Sequence, residues 1–180
     1  VTGTQLAHVT GLAAARWHVL DDAGWDVGRD GLAGGPPVRV IVGEKRHVTV
    51  DRALRLLGLG SPETVAADDQ GRMRADALAT ALDGASGPTV VCAQAGEVNT
   101  GAFDPLPEIA AACRDARAWL HVDGAFGIWA AASPRFLHLV AGLELADSWT
   151  TDAHKWLNVP YDSGIVFCAH PESHRNAMTI

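Results

Sequence analysis

Near the start of the chain, apolar residues recur three or four positions apart. Leu6, Val9, Leu12 and Ala13, continued by Arg16 and Trp17, predict a helix over 2–20. Residues 21–37 are rich in Gly, Asp and Pro and read as a loop. Beyond them, short continuous apolar runs alternate with helix-spaced segments. The runs at 38–42 (V-R-V-I-V), 89–93 (T-V-V-C-A), 118–122 (A-W-L-H-V) and 164–168 (G-I-V-F-C) predict strands, with a shorter one over 63–67. A further buried strand opens at Ala146, runs out into a polar turn and ends on Lys155. Helices are expected over 48–57, 74–82, 104–116 and 133–142. Gly58 and Gly60 close the first, 84–88 ends the second, and Pro105 and Pro107 suit the opening turn of the third. Residues 68–72 form a turn, and after 168 the pattern offers no further element.

Strands that are apolar throughout, rather than alternating, are buried on both faces. With helices between them they predict an α/β fold, a mostly parallel sheet covered by helices. The chain has no repeat, low-complexity tract or second domain, and the Gly-rich stretch 24–35 is an internal loop. In such sheets ligands sit beyond the carboxyl ends of the strands. His47, the loop 94–101, Asp123 and Lys155 all fall there, each delivered by a different strand. Four polar positions converging in this way predict a site more strongly than any one of them. Gly124, Ala125 and Gly127 let a ligand approach the backbone closely.

Composition narrows the class. A chain of 180 residues, 48% hydrophobic and 19% charged, suits one folded domain with a real core. No apolar run has the length of a membrane span, and no leader pattern follows Val1. A formal net charge of −7 argues against a nucleic-acid partner. Cys92, Cys113 and Cys168 are far apart and form no CxxC pair, so neither a zinc site nor a disulfide frame is expected, and a reducing cytoplasm fits. Of the 14 Lys and Arg residues only Lys45 and Lys155 are lysines. Lys155 stands between His154 and Trp156, where a partly desolvated amine is a usable nucleophile toward a carbonyl. The bland alternative is a lysine snorkelling at a strand end.

A lysine that attacks a carbonyl gives an imine. An aspartate can hold a ring nitrogen protonated, a flat histidine can stack on a ring, and a helix start such as Thr2-Gly3-Thr4-Gln5 can hold a phosphate. Pyridoxal phosphate, an aldehyde on a pyridine ring with a phosphate arm, uses all four. The run His121-Val-Asp123-Gly-Ala125, followed by Ser148-Trp-Thr-Thr-Asp152-Ala-His154-Lys155-Trp156, resembles the group II pyridoxal-phosphate-dependent decarboxylases, which include the aromatic-L-amino-acid, glutamate, histidine and tyrosine enzymes. Thr2-Gly3-Thr4-Gln5 with Gly11–Arg16, Arg46-His47 through Ala53, and Gly101-Ala-Phe-Asp104-Pro are similar to further stretches of that family. The likeness covers almost the whole chain.

The resemblance implies the large, cofactor-binding domain of the aspartate-aminotransferase-like fold (fold type I). It implies that Lys155 bonds the cofactor, Asp123 pairs with the ring nitrogen, and His47 and Ala125 cover opposite ring faces. Thr4 and Gln5 would hold the phosphate, with Ser148 and His154 nearby. It further implies an L-amino acid substrate, loss of its carboxylate, and a homodimeric parent enzyme. Two departures stand out. The chain has Gly96-Glu97-Val98-Asn99-Thr100 where many members have Gly-Thr-Thr, leaving Asn99 and Thr100 as substitutes. It also has Asp152 where many have Asn, which adds a negative charge beside the imine. Residues 1–180 are expected to be a part of the large domain, without the family's N-terminal segment, C-terminal small domain or tyrosine-bearing loop, and to have little activity alone.

Other chemistry stays open. Related proteins with the same cofactor act as carbon–carbon lyases, aldehyde synthases or aminotransferases. The pairs His121-x-Asp123 and Asp152-x-His154 have zinc-ligand chemistry, although His121 is expected deep in the sheet rather than at its rim. A non-catalytic domain that only folds or pairs with another subunit is a further reading. The tryptophans, Trp129 and Trp149 among them, are expected in the core or at an interface.

Overall fold

The computed structural model describes residues 1–84 and 86–179. Six strands form one sheet: β1 (Arg39–Gly43), β2 (Glu63–Val65), β3 (Thr89–Gln94), β4 (Trp119–Asp123), β5 (Ser148–Asp152) and β6 (Gly164–Cys168). Their spatial order is β2-β1-β3-β4-β5-β6. Strands β1 to β5 are mutually parallel, with Cys92 opposite His121 and Asp123 opposite Thr150. β6 is antiparallel to β5. That reversal follows from the short connection over 153–163, since a parallel return needs a crossover of about a dozen residues or more.

Helix α1 (Thr4–Asp21) lies on one face of the sheet with α3 (Val48–Leu56) and α7 (Pro171–Met178), while α4 (Ala75–Leu82) and α5 (Leu106–Asp115) cover the other. Two short helices, α2 (Val27–Asp30) and α6 (Ala153–Trp156), complete the set. Side-chain alternation along the strands separates two cores. Val40, Val42, Val90, Cys92 and Trp119 pack toward α1 and α3. Ile41, Val91, Ala93, Leu120 and Val122 pack toward α4 and α5 with Leu78, Ile109 and Leu106.

Four expectations are corrected. The loop 21–37 contains α2, whose Asp26 cap accepts the Arg29 N–H at 3.0 Å and which ends at Gly31 with φ 68°. The helix expected over 133–142 is instead a series of 3₁₀ turns at Gly127–Ala132, Leu137–Val140 and Leu143–Leu145. Pro134 accounts for the break: Ser133 before it is extended (φ −119°, ψ 120°), as a residue preceding proline prefers. The unforeseen α7 follows β6 and opens with Pro171 in its first turn. Finally, the stripe assigned to α1 is misplaced. Its buried residues are Thr4, Ala7, His8, Gly11, Leu12, Ala13, Ala14, Ala15, Val19 and Leu20, whereas Leu6 is exposed. Small residues let this helix sit close on the sheet, so bulk marks its buried side poorly. The expected break at 84–88 follows α4, except that Ala85 lies outside the described residues, as does Ile180.

The start of α1 is fixed from far along the chain. Gly3 gives the helix no side-chain cap. Asp152 supplies one, accepting the Thr4 N–H at 2.7 Å across 148 positions. Beside it, Gly164 N–H donates to Val1 O at 2.8 Å, and a Cβ at Gly164 would overlap the Gly3 backbone.

Candidate active site

Beyond the carboxyl ends of β3, β4 and β5 lies a cavity of about 480 Å³. Thr4, Gln5, His47, Asp123, Ala125, His154 and Lys155 all line it, together with Gly3, Gln94, Phe126 and Asp152. Seven of the eight residues singled out from the sequence are thus brought together. Ser148 is not. It is buried one turn of the pleat below the rim, where its Oγ meets Trp119 Nε1 at 2.9 Å and His121 Nδ1 at 2.7 Å. The sheet pairs Ser148 with His121 rather than with Asp123, which explains its depth.

Each side chain is placed by its element. Asp123 ends β4 and is buried, with Oδ1 accepting the Ala125 N–H at 3.1 Å. Burial alone would raise its pKa, but His8, the Ala125 amide and His121 outweigh that and hold the carboxyl below the usual range. His47 caps α3 from the end of the loop after β1. Its Nδ1 accepts the Thr49 N–H at 3.3 Å and lies 2.8 Å from Thr49 Oγ1, which fixes the ring while leaving it exposed on the cavity side. Lys155 lies in α6, directly after β5. Its Nζ is 2.9 Å from Asp152 Oδ2 and 4.3 Å from the centroid of the Phe126 ring. The amine is therefore not in bulk water; its side chain is 28% exposed.

Asp152 joins two parts of the site. One oxygen caps α1 and the other pairs with Lys155. Burial would raise this carboxyl as well, but its contacts with Thr4 and Lys155 leave it lowered. His154 stands 3.7 Å from Asp152 through Nε2, and its Nδ1 lies 2.9 Å from Ser163 O.

The loop 94–101 differs from expectation. Glu97 is buried and takes up the groups that were candidate cofactor contacts: Asn99 N at 2.8 Å, Asn99 Nδ2 at 2.7 Å and Thr100 N at 2.7 Å. Val98 rather than a hydroxyl lines the cavity. The sequence reading also passed over His8, which lies against Asp123. Its one available signal was spacing: His8 is four residues after Thr4, on the same helix face.

Whether this cavity fits pyridoxal phosphate can be judged from its donors. Thr4 Oγ1 is a buried hydroxyl without a hydrogen-bond partner among the described residues, whereas Gln5 gives its Nε2 to Thr49 O at 3.2 Å and leaves Oε1, an acceptor, unpartnered. Both residues belong to the first turn of α1, whose dipole favours an anion, although the Thr4 N–H is already given to Asp152 and those of Leu6 and Ala7 to Gly3 O. An ionised carboxylate, a primary amine and an open imidazole face complete the set. The donor chemistry fits a phosphate, a cationic ring and an aldehyde.

Comparison with known proteins agrees with this geometry. A family model described as the pyridoxal-dependent decarboxylase conserved domain matches residues 6–179. The aromatic-L-amino-acid decarboxylase of Bacillus atrophaeus is 36% identical over 172 residues, which cover 92% of this chain and 34% of that protein. The aspartate 1-decarboxylase of Aliivibrio fischeri is 31% identical, covering 95% of this chain and 34% of that protein. The chain thus spans about a third of the length of these relatives. Among solved structures, mouse CSAD superposes with a TM-score of 0.88 at 28% identity over 97% of this chain and 37% of its own. The Oryza sativa TDC with PLP and tryptamine gives 0.86 at 28% identity over 100% and 38%. With nearly its whole length matched and its sheet in the same architecture, the chain belongs to the pyridoxal-dependent decarboxylase family.

Proposed function

We propose that this domain binds pyridoxal phosphate through Lys155 and that the protein containing it removes the carboxylate from an L-amino acid. The observation that carries the reading is the convergence of Lys155, Asp123, His47 and the Thr4-Gln5 helix start on one cavity. When bound, the cofactor supplies an aldehyde for the amine and a cationic ring that takes up the electron pair left as the carboxylate departs.

The chain's own residues prepare that chemistry. Thr4 binds the phosphate with its unpartnered hydroxyl and Gln5 with its backbone N–H, at the positive end of α1. Asp123 accepts the ring N–H and, being ionised, keeps that nitrogen protonated. His47 covers one ring face in an orientation set by Thr49, while Ala125, without bulk, leaves room on the other. Asp152 holds Lys155 Nζ within the cavity and serves as a nearby acceptor for its proton. Phe126 limits water on the amine's outer side. Assembly as a homodimer and a cytoplasmic location belong to the same reading. Exposed Trp156 and Leu157, which follow Lys155, and exposed Tyr161 at the cavity support the first. Free thiols at Cys92, Cys113 and Cys168 support the second. No helix among the described residues is long and apolar enough to cross a membrane.

Borohydride treatment of the cofactor-loaded intact protein, followed by peptide mass analysis, is expected to place the pyridoxyl group on the Lys155 peptide. In Lys155→Ala the adduct disappears and turnover drops on the order of 10³-fold or more, as for other covalent catalysts that lose their nucleophile. An adduct on Lys45, or an unlabelled protein, would refute the assignment.

A further inference from the structure

Asp123 meets the cavity on one side and a buried polar chain on the other. His8 is fully buried, with Nε2 3.3 Å from Asp123 Oδ2 and Nδ1 2.9 Å from His121 Nε2. His121, also fully buried, places Nδ1 2.7 Å from Ser148 Oγ, which in turn lies 2.9 Å from Trp119 Nε1. His8 Nε2 meets no hydrogen-bond partner among the described residues; Asp123 Oδ2 lies at ion-pair distance, 3.3 Å, outside hydrogen-bond geometry.

The two ends of this series fix the hydrogens between them. An indole N–H only donates and an ionised carboxylate only accepts. Ser148 Oγ therefore accepts from Trp119 and has both a hydrogen and a second lone pair for His121 Nδ1, so the sense of that contact is set from the carboxylate end. Burial pushes the His121 pKa down to about 3, so that ring is neutral; with a single hydrogen on His8, facing Asp123, His121 carries its own hydrogen on Nε2. That hydrogen goes to His8 Nδ1, which leaves the His8 hydrogen on Nε2, facing Asp123 Oδ2. The opposite sense would set a His8 lone pair against the carboxylate. Every donor thus points toward Asp123, and donors in series polarise one another. Gly11 makes room for the arrangement: a Cβ there would lie 2.9 Å from His121 Cε1.

We propose that His8, backed by His121 and Ser148, is a positioning residue that keeps Asp123 ionised and aims its carboxylate at the ring nitrogen of pyridoxal phosphate. This rests on the cofactor reading above. With His8 Nε2 3.3 Å from Oδ2 and the Ala125 amide donating to Oδ1, each oxygen has one nitrogen neighbour and keeps lone-pair capacity for the ring. A buried carboxylate without such donors would take up a proton and lose its hold on the ring.

The test uses the intact protein as wild type, His8→Leu and His8→Gln, titrated with pyridoxal phosphate. Binding, the visible absorbance of the lysine-bound cofactor, and the thermal midpoint of the cofactor-free form are read together. Supporting groups of this kind typically change affinity by about 10- to 100-fold, and His8→Leu is expected to weaken cofactor binding by that amount and shift the absorbance. His8→Gln, which keeps an N–H near Asp123, is expected to restore both to within a few-fold of wild type. A His8→Leu protein with wild-type affinity and spectrum would overturn the proposal. So would a His8→Gln protein as impaired as His8→Leu when both keep the wild-type thermal midpoint. Independently of any variant, ¹H–¹⁵N correlation of the wild-type imidazoles should show His121 as the neutral Nε2–H tautomer, and the Nδ1–H tautomer would overturn the direction of the series. A wild-type protein without the absorbance band would instead refute the cofactor reading itself.

Discussion

The two faces of the sheet are built from the same strands and are chemically unlike. Toward α4 and α5 the strands present Ile41, Val91, Ala93, Leu120 and Val122, an apolar layer. Toward α1 they present Trp119, His121 and Asp123 from β4, and Ser148 and Thr150 from β5 beside them. One residue of strand register separates the layers, because successive side chains point to opposite faces. The apolar face gains stability simply by being covered. The polar face must satisfy its buried groups one by one: Trp119, Ser148, His121 and His8 Nδ1 join in a chain that ends at the candidate site, while Thr150 Oγ1 has no partner among the described residues. The first face can be repacked within its volume, whereas the second depends on individual atoms.

The contrast can be tested by substitution. Leu120→Ala removes a fully buried side chain from the apolar layer and is expected to cost about 2–5 kcal/mol in denaturant unfolding, with cofactor affinity per folded molecule unchanged. A large loss of affinity alongside it would mean that the faces are not independent. Gly11→Ala tests the polar layer. In an ordinary helix interior this change stabilises by about 1 kcal/mol. Here the new Cβ meets His121 Cε1 at 2.9 Å, on a ring held at both nitrogens, so a net loss of about 1–3 kcal/mol is expected. A stabilised Gly11→Ala protein would show that the polar layer yields easily.

The smallest expected effect is in pH dependence. Neutral His121, with its pKa pushed down to about 3 by burial, cannot take up the proton that the unfolded chain binds below about pH 6.5, so its contribution lowers stability as pH falls through that range. Asp104 acts in the opposite sense. It is buried between the amides of Met73 and Gln94, and burial raises its carboxyl to about 6, so stability falls as pH rises from about 4 to 6. Unfolding titrations between pH 4 and 6 should show a steeper loss on acidification in Asp104→Asn and a shallower one in His121→Asn. Identical slopes in the two variants would contradict the assignment.

Much of this was legible in the sequence, for identifiable reasons. Continuous apolar runs marked β1, β3 and β4 because strands buried on both faces carry few polar residues. Positions at strand ends marked His47, Asp123 and Lys155. What escaped notice depended on partners distant in sequence. The direction of β6 is set by the length of its connection, and α7 has a mixed composition that hides its contact with α1. Thr4 is capped by Asp152, and His8 has a role only because β4 and β5 place His121 and Ser148 side by side. Alanine-rich α1 misled for a simpler reason: its buried side is chosen by closeness to the sheet rather than by side-chain size.

The clasp between Gly164 and the Val1–Gly3 backbone bears on the order of assembly. The start of the first helix is held by a residue cap and a backbone bond that both come from much further along the sequence. Contacts over such separations form late, since the long intervening loop must close first. The helix start proposed to hold the phosphate is therefore expected to be among the last features completed. Capture of the coenzyme would then report that the closing strand has docked, and loosening that strand would release the ligand before the central sheet gives way.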